Sequence, residues 1–174
     1  SYDRYHQSAQ GLRGARIYSV RPPSHRLRIA AFGDSFVHGD EVGDDEAWTA
    51  QIEGARSDAE VLNFGVSGYG TDQALLRFRR EGPRFHPKVV LLGFITDDLS
   101  RNVNVFRPFL APGTGHQMTK PRFRLENGEL RLVPNPLPRI AGYTALLADP
   151  LAVLAPLASV DAYFPVEHRA AAMG

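Results

Sequence analysis

"RIAAFGDSFVHGDEV" runs from Arg28 to Val42. It opens as a short apolar run, stops at Gly33, and sets Asp34 and Ser35 directly behind the stop. An apolar run closed by glycine reads as a buried strand, here 26–32. The turn leads toward a helix over 43–56, "GDDEAWTAQIEGAR", whose acidic start suits the positive end of the helix dipole. Ala47, Trp48 and Ile52 can share one face of it, and Trp48 reads as core packing under the turn.

The same alternation continues downstream. "AEVLNFG" (59–65) reads as a second strand, and Thr71 as the N-cap of a helix through Arg80 with Leu75, Leu76 and Phe78 inward. "PKVVLLGF" (87–94) is a third strand, apolar throughout, as in a parallel sheet covered on both faces. Strand, helix, strand, helix, strand is the doubly wound α/β pattern. Beyond it, "PRFRLENGELRLVP" (121–134) carries Asn127-Gly128 between alternating segments, a hairpin signal. A two-residue turn sets Leu125 opposite Leu130 and Phe123 opposite Leu132, with both pairs on one face.

Composition excludes some chemistry. The 174 residues contain no cysteine, which removes disulfides, thiolate nucleophiles and cysteine-held metals. A net charge of +1 gives no pull toward nucleic acid or anionic membranes. No apolar run is long enough to span a bilayer, since "ALLADPLAVLAPLASV" (145–160) is broken by Asp149, Pro150 and Pro156. Arg77, Arg79, Arg80 and Arg84 read as a solvated helix face. The turn at 33–39 lacks the Gly-Lys-Ser/Thr ending of a phosphate-binding loop.

The three strand exits are Gly33-Asp34-Ser35, "NFGVSGYGT" (63–71) and "GFITDDLSRN" (93–102). In an open parallel sheet the carboxyl ends of neighbouring strands line one crevice, where ligands bind. A nucleophile on a tight turn, beside backbone N–H groups that reach a developing oxyanion, is what acyl transfer needs there.

"GDSFVHG" (33–39), "NFGVSGYGTDQ" (63–73) and "LLGFITDDL" (91–99) resemble, in order and placement, the first three blocks of the SGNH or GDSL-type esterases and acyltransferases. The resemblance covers roughly residues 11–105. It implies a three-layer α/β/α, flavodoxin-like fold with a hairpin inserted near 122–133. It also implies one domain over 1–174, with an irregular lead-in at 1–26, the α/β blocks over 27–105, and an insertion with a partial C-terminal segment over 106–174. By position, Ser35 is the nucleophile and its own N–H the first oxyanion donor. Gly68 supplies a second N–H, Asp97 stands where an asparagine amide is usual, and Asp34 orients the nucleophile turn. Ser35 as a plain turn serine and Gly68 as a plain turn former are the alternatives.

Two departures from the pattern bear on catalysis. No Asp-x-x-His follows the third block, where the family carries it, so the general base is expected to lie outside these 174 residues. His6 and His25 lie in the lead-in, His38 on the turn, His86 before the third strand, and His116 in a Gly/Pro loop. His168 has Pro165, not aspartate, three residues before it. With three parallel strands against the family's five, the expectation is an N-terminal portion of the fold, incomplete at the C-terminus and without hydrolysis of its own. An exposed apolar edge along 89–94 goes with that expectation. The other departure is Asp97: an ionised carboxylate accepts hydrogen bonds and cannot donate them. Burial could protonate it, it could point away, the site could be impaired, or Asp97 or Asp98 could cap the following helix.

The resemblance implies hydrolysis of short-chain acyl esters through an acyl-serine, with O-acetylated glycans among the family's substrates and no metal or organic cofactor. The alternatives are O-acyl transfer, or an impaired SGNH-like module that binds carbohydrate or protein. The partner is then a small-molecule or glycan ester rather than a nucleic acid. Similar lead-ins in exported or membrane-anchored bacterial members suggest a place outside the cytoplasm.

Overall fold

The computed structural model describes residues 5–115, 117–148, 153 and 155–165. They fall into two compact units, 1–98 and 99–174. The first is a mixed α/β unit around a three-stranded parallel sheet, the arrangement of the SGNH flavodoxin-like fold. In chain order it holds β1 (Leu27–Phe32), α1 (Ser35–His38), α2 (Trp48–Ala55), β2 (Ala59–Asn63), α3 (Thr71–Glu81), β3 (Val89–Leu92) and the start of α4 (Asp97–Asn102). The sheet order is β2-β1-β3, so the strand that carries the serine turn is central.

Apolar side chains close the core of this unit. Phe32 of β1 stacks on Phe64 at 4.5 Å, and Phe78 of α3 and Phe85 meet the pair edge-on. Leu12 and Tyr18 join the same cluster, so the irregular lead-in supplies buried anchors. At the opposite end of β1 from the serine turn, Arg28 is fully buried. It pairs with Glu60 at 2.7 Å and donates to the carbonyls of Ser19, Val20 and Phe85. Arg28 and Glu60 are register partners on β1 and β2, so the ion pair locks the sheet register as well as the lead-in.

Several sequence expectations are corrected. The helix expected over 43–56 begins only at Trp48, and the preceding carbonyls of Gly39, Val42 and Gly43 accept from the Arg13 guanidinium. Trp48 is half-buried, not core, and donates Nε1–H to the Val37 carbonyl at 3.1 Å. Gly70, not Thr71, is the N-cap of α3, and its N–H donates to Gln73 Oε1. Ala74 is buried on α3, while Leu75, Leu76 and Phe78 are only half-buried. Arg77 leaves the solvated face altogether: it is buried, donates to the Phe64 and Gly11 carbonyls, and pairs with Glu81. β3 is not covered on both faces. Val90, Leu91 and Leu92 are 45, 38 and 53% exposed, and among the described residues β3 pairs with β1 alone. This agrees with the apolar edge expected along 89–94.

The second unit contains α5 (Arg107–Leu110), the hairpin β4 (Arg122–Glu126) and β5 (Glu129–Val133), and α6 (Ala141–Ala148). The hairpin has the expected register, Leu125 opposite Leu130 and Phe123 opposite Leu132. Its centre is a cluster of Val105, Phe106, Leu146, Leu157, Ala158 and Phe164. Buried Asp161 ties its chain segments together by accepting from the Val105 and Phe106 N–H groups at 2.7 and 2.8 Å. No helix among the described residues is long and apolar enough to cross a membrane.

Removing one member of a buried ion pair strands the other charge, at a cost of about 3–5 kcal/mol. Glu60→Ala is therefore expected to lower stability by about that amount, read as a shift of the urea unfolding midpoint. A loss below about 1 kcal/mol would show that the pair does not hold the register.

Candidate active site

Ser35 is the first residue of α1, at the carboxyl end of the central strand. Asp34 is the N-cap. Its buried carboxylate accepts from the Phe36 N–H at 3.0 Å, which fixes the turn that presents Ser35. The helix stops after one turn at Gly39, whose φ is +80° and whose N–H returns to the Ser35 carbonyl.

Two neighbouring strand exits hold this turn from the other side. A Cβ on Gly65, after β2, would lie 2.4 Å from the His38 backbone nitrogen. A Cβ on Gly93, after β3, would lie 2.4 Å from Val37 Cγ2. The obstacle at Gly65 is backbone, so a side chain there would push α1 off the sheet, whereas at Gly93 the Val37 methyl would have to turn aside. Asn63 completes the seat: its Nδ2 donates to the Val37 carbonyl at 2.8 Å, and its Oδ1 accepts from the Gly65 N–H.

Ser35 opens on a cleft of about 450 Å³, lined also by Phe36, Gly39, Asp40, Glu41, Val42, Glu46, Trp48 and Ser67. This volume is in the range of small-ligand sites. Phe36, Val42 and Trp48 give it an apolar wall, and Asp40, Glu41 and Glu46 give it carboxylates without a lining cation. The Ser35 hydroxyl makes no hydrogen bond among the described residues, and neither the Ser35 nor the Gly68 N–H is used in one. Gly68 stands in a turn with φ +75°. Its neighbour Ser67, which the sequence reading passed over, is the second-block residue that lines the cleft.

Asp97 is exposed at the start of α4 and is not among the cleft-lining residues. The burial that the first of the four expectations requires is therefore not found. Asp98 is the buried one; it lies inside α4, and its Oδ2 accepts from the Ile95 N–H three residues back at 3.3 Å, which is not the bond of an N-cap to the following turn.

No described histidine lines the cleft. His38 lies behind the turn. Its Nδ1 is 2.6 Å from Asp40 Oδ1, and its ring meets Tyr5 edge-on at 4.8 Å. Burial, with the charges of Arg13 and Arg77, holds its pKa below the usual histidine range against the pull of Asp40. His116 and His168 lie outside the described residues.

The chain belongs to the GDSL-like lipase/acylhydrolase family, whose model matches residues 31–166. Among solved structures it is similar to AlinE4, an SGNH-hydrolase family esterase, at 30% identity over 46% of this chain and 46% of that one, with a TM-score of 0.40. An aspartate-to-alanine mutant of esterase AlinE4 is likewise 30% identical, over 47% of this chain and 46% of that one, with a TM-score of 0.41. The match thus spans about half the length of these structures. No curated protein matches the chain.

Two outcomes test the seat of the turn. Gly65→Ala is expected to cost about 1–3 kcal/mol, as overpacking does, read by urea unfolding; a neutral change would mean that α1 is not clamped there. The buried imidazole gives the second. The unfolded chain regains the ordinary histidine affinity for protons, so it binds more of them than the fold does as pH drops. Stability from neutral His38 is present above the ordinary value of about 6.5 and is lost as pH falls below it. The urea midpoint of the parent is expected to fall between pH 7.5 and pH 5, and His38→Gln to flatten that slope. An equal slope in both proteins would locate the dependence elsewhere.

Proposed function

We propose that this chain carries the nucleophile of a serine esterase acting on short-chain acyl esters. The observation that carries the reading is Ser35 itself: capped onto a one-turn helix, its hydroxyl without a partner among the described residues, at the mouth of a cleft of ester size. In this reading Ser35 Oγ attacks the ester carbonyl and a histidine base takes its proton. The oxyanion is received by the Ser35 and Gly68 N–H groups. Collapse of the adduct expels the alcohol, which the same histidine protonates, and leaves an acyl-serine for water to cleave. A sugar hydroxyl in place of water would make the reaction an O-acyl transfer.

The base is assigned to an Asp-x-x-His block after the third block, and none follows the third block in these 174 residues. Activity is therefore proposed for a protein that joins the chain to such a block. Asp97 is given no donor role, since an exposed carboxylate accepts hydrogen bonds only. The three lining carboxylates support uncharged esters, such as O-acetylated neutral glycans, over anionic ones. A second reading, a module that binds carbohydrate or protein without turnover, is supported by the absence of a described histidine from the cleft.

A fluorophosphonate probe separates the two. Ser35 joined to its base is expected to label at neutral pH, and Ser35→Ala not to label. The 174 residues alone are expected to label about 10²–10⁴-fold more slowly, the usual worth of a positioned base. No labelling of Ser35 with the Asp-x-x-His block present would overturn the esterase reading in favour of the binding module.

A further inference from the structure

The wall of the Ser35 cleft is built by a residue that does not touch the cleft. Gly39, Asp40, Glu41, Val42 and Glu46 supply five of its nine lining residues, all from the loop between α1 and α2. That loop has little structure of its own. Its internal bonds are a long Val42 N–H to the Gly39 carbonyl at 3.4 Å, the Ala47 N–H to the Gly43 carbonyl at 3.1 Å, and the Gly43 N–H to Glu46 Oε2 at 2.8 Å. The Asp40 N–H donates to the Ser35 carbonyl and the Gln51 side chain to the Asp45 carbonyl, and the widest tie to the loop comes from Arg13. Its side chain is 1% exposed and bonds to four partners in the loop: the Gly39, Val42 and Gly43 carbonyls at 3.3, 2.8 and 3.1 Å, and the Asp44 carboxylate.

Arg13 is itself held in place. Its backbone N–H donates to the Asn63 carbonyl at the end of β2, and the Tyr5 ring lies 4.6 Å from its guanidinium. From the same segment, the His6 N–H donates to the Asp44 carboxylate at 3.0 Å, and the His6 ring meets that carboxylate at 2.6 Å. The three carbonyls share the two N–H groups of Nη2 while Nη1 donates to the carboxylate, a division between two nitrogens that the single ammonium of lysine cannot copy.

We propose that Arg13 is a positioning residue for the Ser35 cleft: it clamps the loop 39–47 into the wall that decides what the cleft admits. The proposal rests on the reading of this cleft as the ester site. Ser35 is placed independently, by Asp34 and by Gly65 and Gly93. Losing Arg13 therefore loosens the wall while the nucleophile turn stays seated.

The chain has one tryptophan, Trp48, and it lines the cleft beside this loop. Its fluorescence reports the wall without requiring turnover. Acrylamide quenching of Trp48 is to be measured in the parent, Arg13→Gln, Arg13→Lys and Asp44→Asn, each with and without the neutral ester phenyl acetate. Arg56→Gln, at an exposed pair with Asp58, is the control. The quenching constant is expected to rise at least twofold in Arg13→Gln and less in Arg13→Lys and Asp44→Asn, with Arg56→Gln unchanged. Phenyl acetate is expected to protect Trp48 in the parent and to need at least tenfold more ester in Arg13→Gln. If Arg13→Gln does not fold, Arg13→Lys and Asp44→Asn decide. Unchanged quenching in the folded variants overturns the clamp. Loosening by Arg13→Gln, together with a parent that phenyl acetate does not protect, keeps the clamp and removes the ester reading instead.

Discussion

Everything around the serine depends on a lack of space. The one-turn helix α1 sits so close to the exits of β2 and β3 that a methyl group on Gly65 or Gly93 would overlap His38 or Val37. At Gly65 the contact is between backbones and is stiff, since no rotamer change relieves it. It fixes the height of Ser35 above the sheet, and the Asp34 cap fixes the direction of the turn. The Asn63 amide, held between the Val37 carbonyl and the Gly65 N–H, joins the two sides of the contact.

Around this seat the unit is tied together by buried arginines rather than by apolar packing alone. Arg28 joins β1, β2, the lead-in and the carbonyl of Phe85. Arg77 joins α3 to the carbonyls of Phe64 and Gly11. Each satisfies carbonyls of irregular chain that no ladder could reach, and an unpartnered buried carbonyl would cost the fold directly. The segment before β1 thereby becomes integral to the unit without forming a helix or a strand.

The parallel strands, the helix over 71–81, the hairpin register and the serine turn were legible because each depends on local pattern: apolar runs, a glycine stop, Asn-Gly between alternating segments. What the sequence did not disclose depends on long-range contact. An arginine in a polar segment looks like a surface residue, yet Arg13, Arg28 and Arg77 are buried by carbonyls distant in the chain. Their targets carry no side-chain signature, so no spacing announces them. Trp48 misled for a related reason. Its helical periodicity marked a packed face, but the late start of α2 turned it toward the cleft. Ser67 was hidden beside Gly68, because glycine draws the eye to backbone donors and away from the hydroxyl next to it.

The strand order has a consequence for how the chain assembles. Of these three strands β1 is synthesised before the other two and lies between them, with β2 and β3 added on either side of it. A sheet that grows outward from its first strand always has a template waiting, which suits folding during synthesis from the N-terminus. The two additions differ in reach: Ile29 meets Val61 on one side and Val89 on the other, so the second closure spans nearly twice as much chain. Closing the longer loop carries the larger entropy loss. Of these three strands β3 is then the last to dock and the first to leave, and the apolar surface it exposes is that of the least committed of the three.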